Sequence, residues 1–342
     1  MLLTINRKEV RLLMFVPLFL SMMFLFSRDK VWAEDNNDKA ALAEKANKAE
    51  QDKINDMKSE IELGRNMAGR LVQYYGIYLD EQLLGYVNQV GINLASQSQD
   101  NDRRYMFEIL DNDMINAFAA PGGYILISRG ALKHARNEAE LAGVLAHEIA
   151  HVYKRHMFNT LKSMSKEEME KAGGEVESFK DFPPAMKARR RPVPKDSETG
   201  AMLARYLSGG TINILAAAKA GMSLYLEKGL KPELEYEADS EGAKLAVQAG
   251  YDPYGLPDFL CRIDQAKEDK SGKCKLIRKD KKDKNLTILA KTHPPIIDRV
   301  ESVNKVLDKM NAATIIGAKG INRYAMYTKK LPEPKKKQQK TH

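Results

Sequence analysis

The sequence is poor in cysteine, in aromatic side chains and in long apolar runs. Its 342 residues include two cysteines and one tryptophan, and aromatic residues make up 7%. Hydrophobic residues make up 43% and charged residues 30%, a balance that excludes a wholly disordered chain, a collagen-like repeat and a polytopic membrane protein. A length of 342 residues predicts one large domain with appendages, or two small domains.

The one long apolar run lies near the N terminus. A basic segment over 7–11 precedes an apolar run over 12–26, and small residues follow shortly before acidic ones. This order is typical of a secretory signal peptide, and the run is shorter than the roughly 20 residues that a spanning helix needs. We expect cleavage after Ala33 and export to the periplasm. The alternative is an uncleaved segment 1–33 that anchors the chain in the membrane.

The two cysteines, Cys261 and Cys274, leave two alternatives open. In an oxidising compartment they could close a short loop by a disulfide, or they could remain free thiols.

The net charge of +9 comes from 55 basic and 46 acidic residues. Basic runs at 189–191 and 279–284 lack interleaved aromatic residues, and export removes most nucleic acid from reach, so we expect no nucleic-acid partner. Peripheral contact with an anionic membrane surface is the most that the charge suggests.

Changes in composition along the chain suggest its domain limits. We expect a charged, solvated leader over 34–59 and the main domain over 60–311. A mobile charged insertion is expected at 160–200 within it, and a C-terminal segment with a basic tail at 312–342. Apolar periodicity predicts the main elements, which are a helix break at 75–80, strands at 106–110 and 124–128, and helices from 129 to past 156, at 231–250 and at 296–310.

The strongest local pattern is His147-Glu148-Ile149-Ala150-His151. A helix advances about 100° per residue, so His147 and His151 lie about 40° apart and could bind one metal ion from a single face. Two neutral imidazoles suit zinc, and Glu148 beside them could deprotonate a metal-activated water. The alternative is a chance match on an amphipathic helix.

A catalytic zinc ion needs a third protein ligand and an open fourth position. Lys154 and Met157 stand where a metzincin requires glycine and histidine, which excludes that branch. His156 projects about 140° from His151 if the helix continues, so we expect it to face away from the metal.

A second acidic segment offers the third ligand. Helical projection places Glu235 and Asp239 on a small, apolar face, and Glu233, Glu237 and Glu241 on the opposite, solvated face. Burying two carboxylates is costly unless a cation binds them. We expect Glu235 to be a ligand and Asp239 to orient a ligand histidine, and the alternative is a partly exposed acidic helix.

These patterns resemble a known family. HEIAH at 147–151 and Glu235-Tyr236-Glu237-Ala238-Asp239 are similar to the HExxH and ExxxD pair of metallopeptidase family 48, the gluzincin group that contains the HtpX, OMA-type and CAAX-prenyl proteases. The similarity extends over about 60–311 and includes residues 116–123 and 292–299.

The resemblance implies an α+β, mainly helical zinc metalloprotease domain, gluzincin-like, with a small sheet beside the HExxH helix and a place in the soluble periplasmic branch. It implies one zinc ion per chain on His147, His151 and Glu235, with Glu148 as general base. It also implies a fourth ligand or switch at His293, where a surface-loop histidine is the alternative.

Two further features follow from the resemblance. Arg299 is a candidate support of the active site. An edge strand would bind an extended substrate by β-augmentation, although a strand that is merely part of the sheet is compatible with the same residues. The edge-strand residues are Asn116, Ala117, Phe118 and Ala119.

The expected function is that of an exported zinc endopeptidase acting on unfolded or misassembled envelope proteins. The alternative is a periplasmic chaperone or assembly factor that holds client strands in the same cleft and rarely cuts them.

Overall fold

The computed structural model describes residues 7–100, 103–177, 212–263, 267–268, 274–275 and 292–333. The chain divides into two compact units, Met1–Lys58 and Ser59–His342. The described residues of the first unit are helical. Within the described ranges, no helix is both long enough and apolar enough to cross a membrane. Cleavage after Ala33 stays a prediction.

The molecule is mainly helical. Its helices are α1 (Arg7–Tyr75), α2 (Glu81–Ala95), α3 (Arg129–His134), α4 (Glu138–Tyr153), α5 (His156–Ser163), α6 (Lys166–Glu177), α7 (Ile212–Ser223), α8 (Pro232–Gln248), α9 (Gly255–Ile263), α10 (Ile296–Lys309) and α11 (Ile321–Thr328). A π-helical turn covers Leu224–Lys228, and 3₁₀ turns cover Pro121–Gly123 and Ala312–Thr314. The strands are β1 (Met106–Leu110), β2 (Ala117–Ala120), β3 (Tyr124–Ser128), β4 (Lys267–Glu268) and β5 (Cys274–Lys275).

A three-stranded sheet lies beside α4. Its order is β1-β3-β2, with β1 parallel and β2 antiparallel to the central, fully buried β3. Both strands predicted from the sequence are confirmed with their predicted limits. Among the described residues no strand pairs with the outer side of β2, so β2 forms an edge of this sheet. The fold is thus an α+β fold dominated by helices, as predicted.

The predicted break between the first two helices is present. Gly76 follows α1 with a φ of 79°, a left-handed conformation that glycine adopts without strain. Asp80 then caps α2, because its side chain accepts a hydrogen bond from the main-chain nitrogen of Leu83.

Helix α4 lies at the centre of the second unit. It packs against α8, α9, α2 and β2, and the residues from Glu138 to Val152 are all buried. Glycine lets α8 approach α4 closely: a Cβ added at Gly242 of α8 would lie 2.8 Å from the main-chain nitrogen of His147. The side chains of α8 are therefore held directly against the HExxH turn of α4.

The single helix expected from residue 129 to past 156 is wrong. Ala135 is extended after α3, and Asn137 starts α4 by accepting a hydrogen bond from the main-chain nitrogen of Glu140. Beyond α4, Arg155 adopts a left-handed conformation with a φ of 57°, and α5 begins at His156. A projection that continued α4 through His156 therefore misplaces that residue.

The later elements agree with the periodicity, since α8 and α10 lie within the helices predicted at 231–250 and 296–310. The segment expected to be an insertion at 160–200 begins with the end of α5 and with α6, and its part after 177 lies outside the described residues. The basic runs at 189–191 and 279–284 also lie outside the described residues.

The described part of the C-terminal segment packs on the same core. Tyr324 donates a hydrogen bond from its hydroxyl to the carbonyl of Leu132, and Lys319 accepts one from the main-chain nitrogen of Ala139. Cys261, in α9, is disulfide-bonded, which favours the bridged alternative over two free thiols.

Candidate metal centre

Helices α4 and α8 bring the three predicted metal ligands, His147, His151 and Glu235, together. Nε2 of His147 lies 3.1 Å from Nε2 of His151, both from α4. Glu235, from α8, places Oε2 3.6 Å from Nε2 of His147 and Oε1 3.6 Å from Nε2 of His151. All three side chains are buried.

This donor set fits a zinc ion. Ligand atoms bound at 2.0–2.2 Å around a tetrahedral ion lie roughly 3.3–3.6 Å apart, close to the spacing observed. Oε2 of Glu235 is buried, and no described residue makes a hydrogen bond to it. A buried acceptor without a partner costs free energy, and a dication would remove that cost.

The charge state of Glu235 also suits a ligand. Burial raises the pKa of its carboxyl, but the neighbouring histidines outweigh burial and hold the pKa well below its ordinary value. The group is therefore ionised at neutral pH.

His293 precedes α10 and reaches the same point. Its Nε2 lies 3.3 Å from Oε2 of Glu235. One ligand atom from each of His147, Glu235 and His293 lies within 4.8 Å of the other two. The structure therefore places His293 at the site, and its role as fourth ligand or switch stays a prediction.

Asp239 and Arg299 form a buried pair behind His147. Oδ1 of Asp239 lies 2.8 Å from Nδ1 of His147, and Arg299 donates hydrogen bonds to both carboxylate oxygens, at 2.8 and 2.6 Å. Burial would raise the pKa of Asp239, but Arg299 lowers it to about 2. The ionised carboxylate can therefore accept a hydrogen bond from the Nδ1–H group of His147, which leaves Nε2 of that ring free to bind a metal.

Glu148 lies in the cleft beside the ligands and is 7% exposed. Burial raises the pKa of its carboxyl. A raised pKa brings a carboxylate closer to the value at which it exchanges protons effectively near neutral pH. Apolar side chains also line the cleft, and they include Val144, Leu256 and Phe259.

The family model of peptidase family M48 matches residues 81–307. The chain belongs to peptidase family M48. The resemblance read from the two motifs is thereby confirmed.

Individual relatives of this M48 chain match part of it. The beta-barrel assembly-enhancing protease of Escherichia coli K12 is 28% identical over 194 residues, which are 55% of this chain and 34% of that protein. A putative beta-barrel assembly-enhancing protease of Vibrio cholerae is 30% identical over 193 residues, 54% of this chain and 33% of that protein. The mitochondrial metalloendopeptidase OMA1 of Arabidopsis thaliana is 24% identical over 164 residues, 48% and 27% of the two chains. The matched region spans about a third of these relatives.

The sequence analysis expected His156 to face away from the metal, and it missed the contact that His156 makes with His151. Its Nδ1 lies 3.0 Å from Nδ1 of His151, and its Nε2 lies 3.3 Å from Oε2 of Glu237. Burial lowers the pKa of His156 to about 4, so the ring is neutral at pH 7. Glu237 is exposed, as expected for the solvated face of α8, and its carboxylate also contacts this buried ring.

The edge strand β2 contains three of the four predicted residues, and Asn116 lies directly before it. Ser128 donates a main-chain hydrogen bond of 2.9 Å to the carbonyl of Asn116. Hydrogen-bonded pairs alternate along an antiparallel ladder, so the main-chain groups of Ala117 and Ala119 face the outer edge of β2.

Tyr225 is a second residue that the sequence analysis missed. From the π-helical turn, its hydroxyl donates a 2.5 Å hydrogen bond to the carbonyl of Ala119, and its ring packs edge-on against Phe118. It lines the same cleft as Glu148 and His151. A π-helical turn is common at functional sites, but no local sequence pattern announces this one.

Proposed function

We propose that this chain is a zinc-dependent endopeptidase of the gluzincin type. The observation that carries the proposal is the convergence of His147, His151 and Glu235 on one point beside Glu148. Membership of family M48 supports it.

His147, His151 and Glu235 would hold one zinc ion per chain, and His293 would act as a fourth ligand or as a switch. When bound, zinc lowers the pKa of water toward neutrality and stabilises negative charge on a carbonyl oxygen. Asp239 and Arg299 would keep the ring of His147 in the orientation that this binding needs.

Glu148 would move the proton. Its carboxylate accepts a proton from the attacking water, whose oxygen forms a bond to the peptide carbonyl carbon. The carboxyl then gives that proton to the amide nitrogen as the carbon–nitrogen bond breaks. The products are a carboxylic acid and an amine, and Glu148 ends ionised, as it began.

An extended substrate would bind along the outer edge of β2, in the segment formed by Asn116, Ala117, Phe118 and Ala119. Strand addition uses main-chain hydrogen bonds and therefore accepts many sequences, which suits unfolded polypeptides. The carbonyl of Ala119 already accepts a hydrogen bond from Tyr225. A substrate strand would have to displace that hydroxyl to pair along the full edge.

The proposed substrates are unfolded or misassembled envelope proteins. Several relatives are named as proteases that enhance β-barrel assembly, and the N-terminal segment has the composition of an export signal. The proposed location is the periplasm, either free after cleavage or held by the uncleaved segment, with peripheral contact with anionic lipid through basic segments.

A second candidate is a chaperone or assembly factor that binds client strands and rarely cuts. The contact of His293 with Glu235 favours it, because a histidine at this position would compete with water for the metal and leave the outer edge of β2 open to a client strand.

Incubation of the purified protein with β-casein separates the two functions. Fragments that appear with zinc, disappear with a chelator and return when zinc is restored support the endopeptidase. Stable binding of an unfolded β-barrel protein, with intact casein at one bound zinc per chain, supports the chaperone and contradicts the endopeptidase.

A further inference from the structure

The two nitrogens of His151 face different partners. Nε2 faces the metal site, 3.1 Å from Nε2 of His147. Nδ1 points away from it and lies 3.0 Å from Nδ1 of His156. A neutral imidazole carries one proton, and a nitrogen that binds a metal carries none. If Nε2 of His151 is the ligand, its proton is on Nδ1, and Nδ1 of His156 must accept it.

The proton of His156 then has one position left. With Nδ1 acting as an acceptor, the ring of His156 carries its proton on Nε2, which lies 3.3 Å from Oε2 of Glu237. In each ring, a single tautomer satisfies the contacts of both nitrogens. The result is a hydrogen-bonded chain in which His151 donates to His156 and His156 donates to Glu237.

The turn after α4 places His156 for this contact. Arg155 reverses the chain in a left-handed conformation, and its Nε donates a 2.8 Å hydrogen bond to Glu60, which is 1% exposed. His156 is therefore the first residue of α5 and lies under α4, where its ring meets that of His151 edge to face at 5.0 Å. Lys154 lies 3.1 Å from the far carboxylate oxygen of Glu237.

The two candidate ligand histidines thus have unequal partners. His147 contacts the fully buried carboxylate of Asp239 directly, whereas His151 contacts the ring of His156, which in turn contacts the exposed carboxylate of Glu237. We propose that His156 is a positioning residue that fixes the tautomer and orientation of His151 through its Nδ1. This inference rests on the proposed zinc site.

Two substitutions test the contributions of the two ring nitrogens of His156 separately. Asparagine places its side-chain oxygen near the position of Nδ1, whereas glutamine places its amide near the position of Nε2. In His156→Gln we expect zinc affinity to fall on the order of tenfold, as for other groups that orient metal ligands. In His156→Asn we expect the affinity to stay near that of the wild-type chain.

The dissociation constant for zinc is measured on the full chain by competition with a chromogenic chelator. Thermal melting of the metal-free protein runs in parallel, and His134→Gln, outside the site, serves as the matched control. Weaker zinc binding in His156→Gln, rescue in His156→Asn and similar metal-free melting temperatures are the expected results. Equal losses in both variants, or no loss in either, would overturn the inference.

This readout does not depend on catalysis. A wild-type chain that binds zinc but leaves casein intact contradicts the proposed endopeptidase, while the comparison of the two His156 variants still decides the positioning role. Where casein is cleaved, kcat should fall in His156→Gln at equal zinc occupancy with KM unchanged. An effect on KM alone would contradict the positioning role.

Discussion

Oδ1 of Asp239 lies 2.8 Å from Nδ1 of His147, and this contact joins α8 to the metal-site face of α4. Arg299 of α10 holds the same carboxylate with two hydrogen bonds. Three helices therefore fix the orientation of one imidazole, and the polar groups involved are almost completely buried.

Replacing Asp239 by asparagine should weaken zinc binding by about 10- to 100-fold. The variant loses the charged acceptor of His147 and leaves the guanidinium of Arg299 buried without its anion, so the melting temperature should fall as well. Asp308→Asn, at an exposed position on the helix that carries Arg299, is the control. Unchanged zinc affinity in Asp239→Asn would contradict the orienting role.

Glu235→Gln and Glu233→Gln form a matched pair on α8. Glu235 is buried against the two histidines, whereas Glu233 is exposed. Removal of the anionic ligand should leave less than one zinc ion per chain after dialysis, while the Glu233 variant keeps a full equivalent. Metal analysis of both dialysed proteins checks this, and equal zinc contents would exclude Glu235 as a ligand.

Tyr225→Phe tests whether substrate uses the outer edge of β2. The change removes the hydroxyl that donates a hydrogen bond to the carbonyl of Ala119, and it keeps the ring that packs on Phe118. One hydrogen bond is worth about 0.5–1.5 kcal/mol net, so KM for an extended peptide should fall roughly two- to tenfold. Steady-state kinetics measure the change, and a higher or unchanged KM would argue against strand addition at Ala119.

The surroundings of Asp258 lead us to expect that the stability of the folded protein depends on pH. Burial, with the nearby carboxylates of Glu140 and Asp252, raises the pKa of Asp258 to about 6. The ordinary value is about 3.9, so between about pH 4 and 6 the folded state binds more protons than the unfolded state, and stability falls as the pH rises.

Asp258→Asn removes this titration. The melting temperature of the metal-free variant minus that of the metal-free wild-type chain should therefore be larger at pH 7 than at pH 4. Thermal melts at the two pH values measure the difference. The same difference at both values would show that Asp258 titrates alike in the folded and unfolded states.

The sequence predicts the local parts of this site well. The spacing of His147 and His151 needs only helical geometry, and the separation of Glu235 from Glu233 needs only the apolar face of α8. The strands β1 and β3 follow from short apolar runs with a glycine turn between them.

The features of the site that the sequence does not predict depend on contacts between segments that are far apart in the chain. The left-handed turn at Arg155 contacts Glu60, 95 positions earlier, and the start of α4 includes Glu138, whose carboxylate binds Arg323 from α11. Periodicity cannot foresee such partners, so it extends α4 too far and misses the contact of His156 with His151. The contact of Tyr225 with Ala119 joins residues 106 positions apart and is equally invisible to a local pattern.

Glu148→Gln tests the central claim most directly. The substitution keeps the size of the side chain and removes its ability to accept a proton, so the variant should bind one zinc ion per chain and fold as the wild-type protein does. The measurement is the initial rate of β-casein cleavage at equal zinc occupancy. The account predicts a loss of about 10²- to 10⁴-fold, the usual contribution of a general base. Cleavage at the wild-type rate by zinc-loaded Glu148→Gln would contradict it.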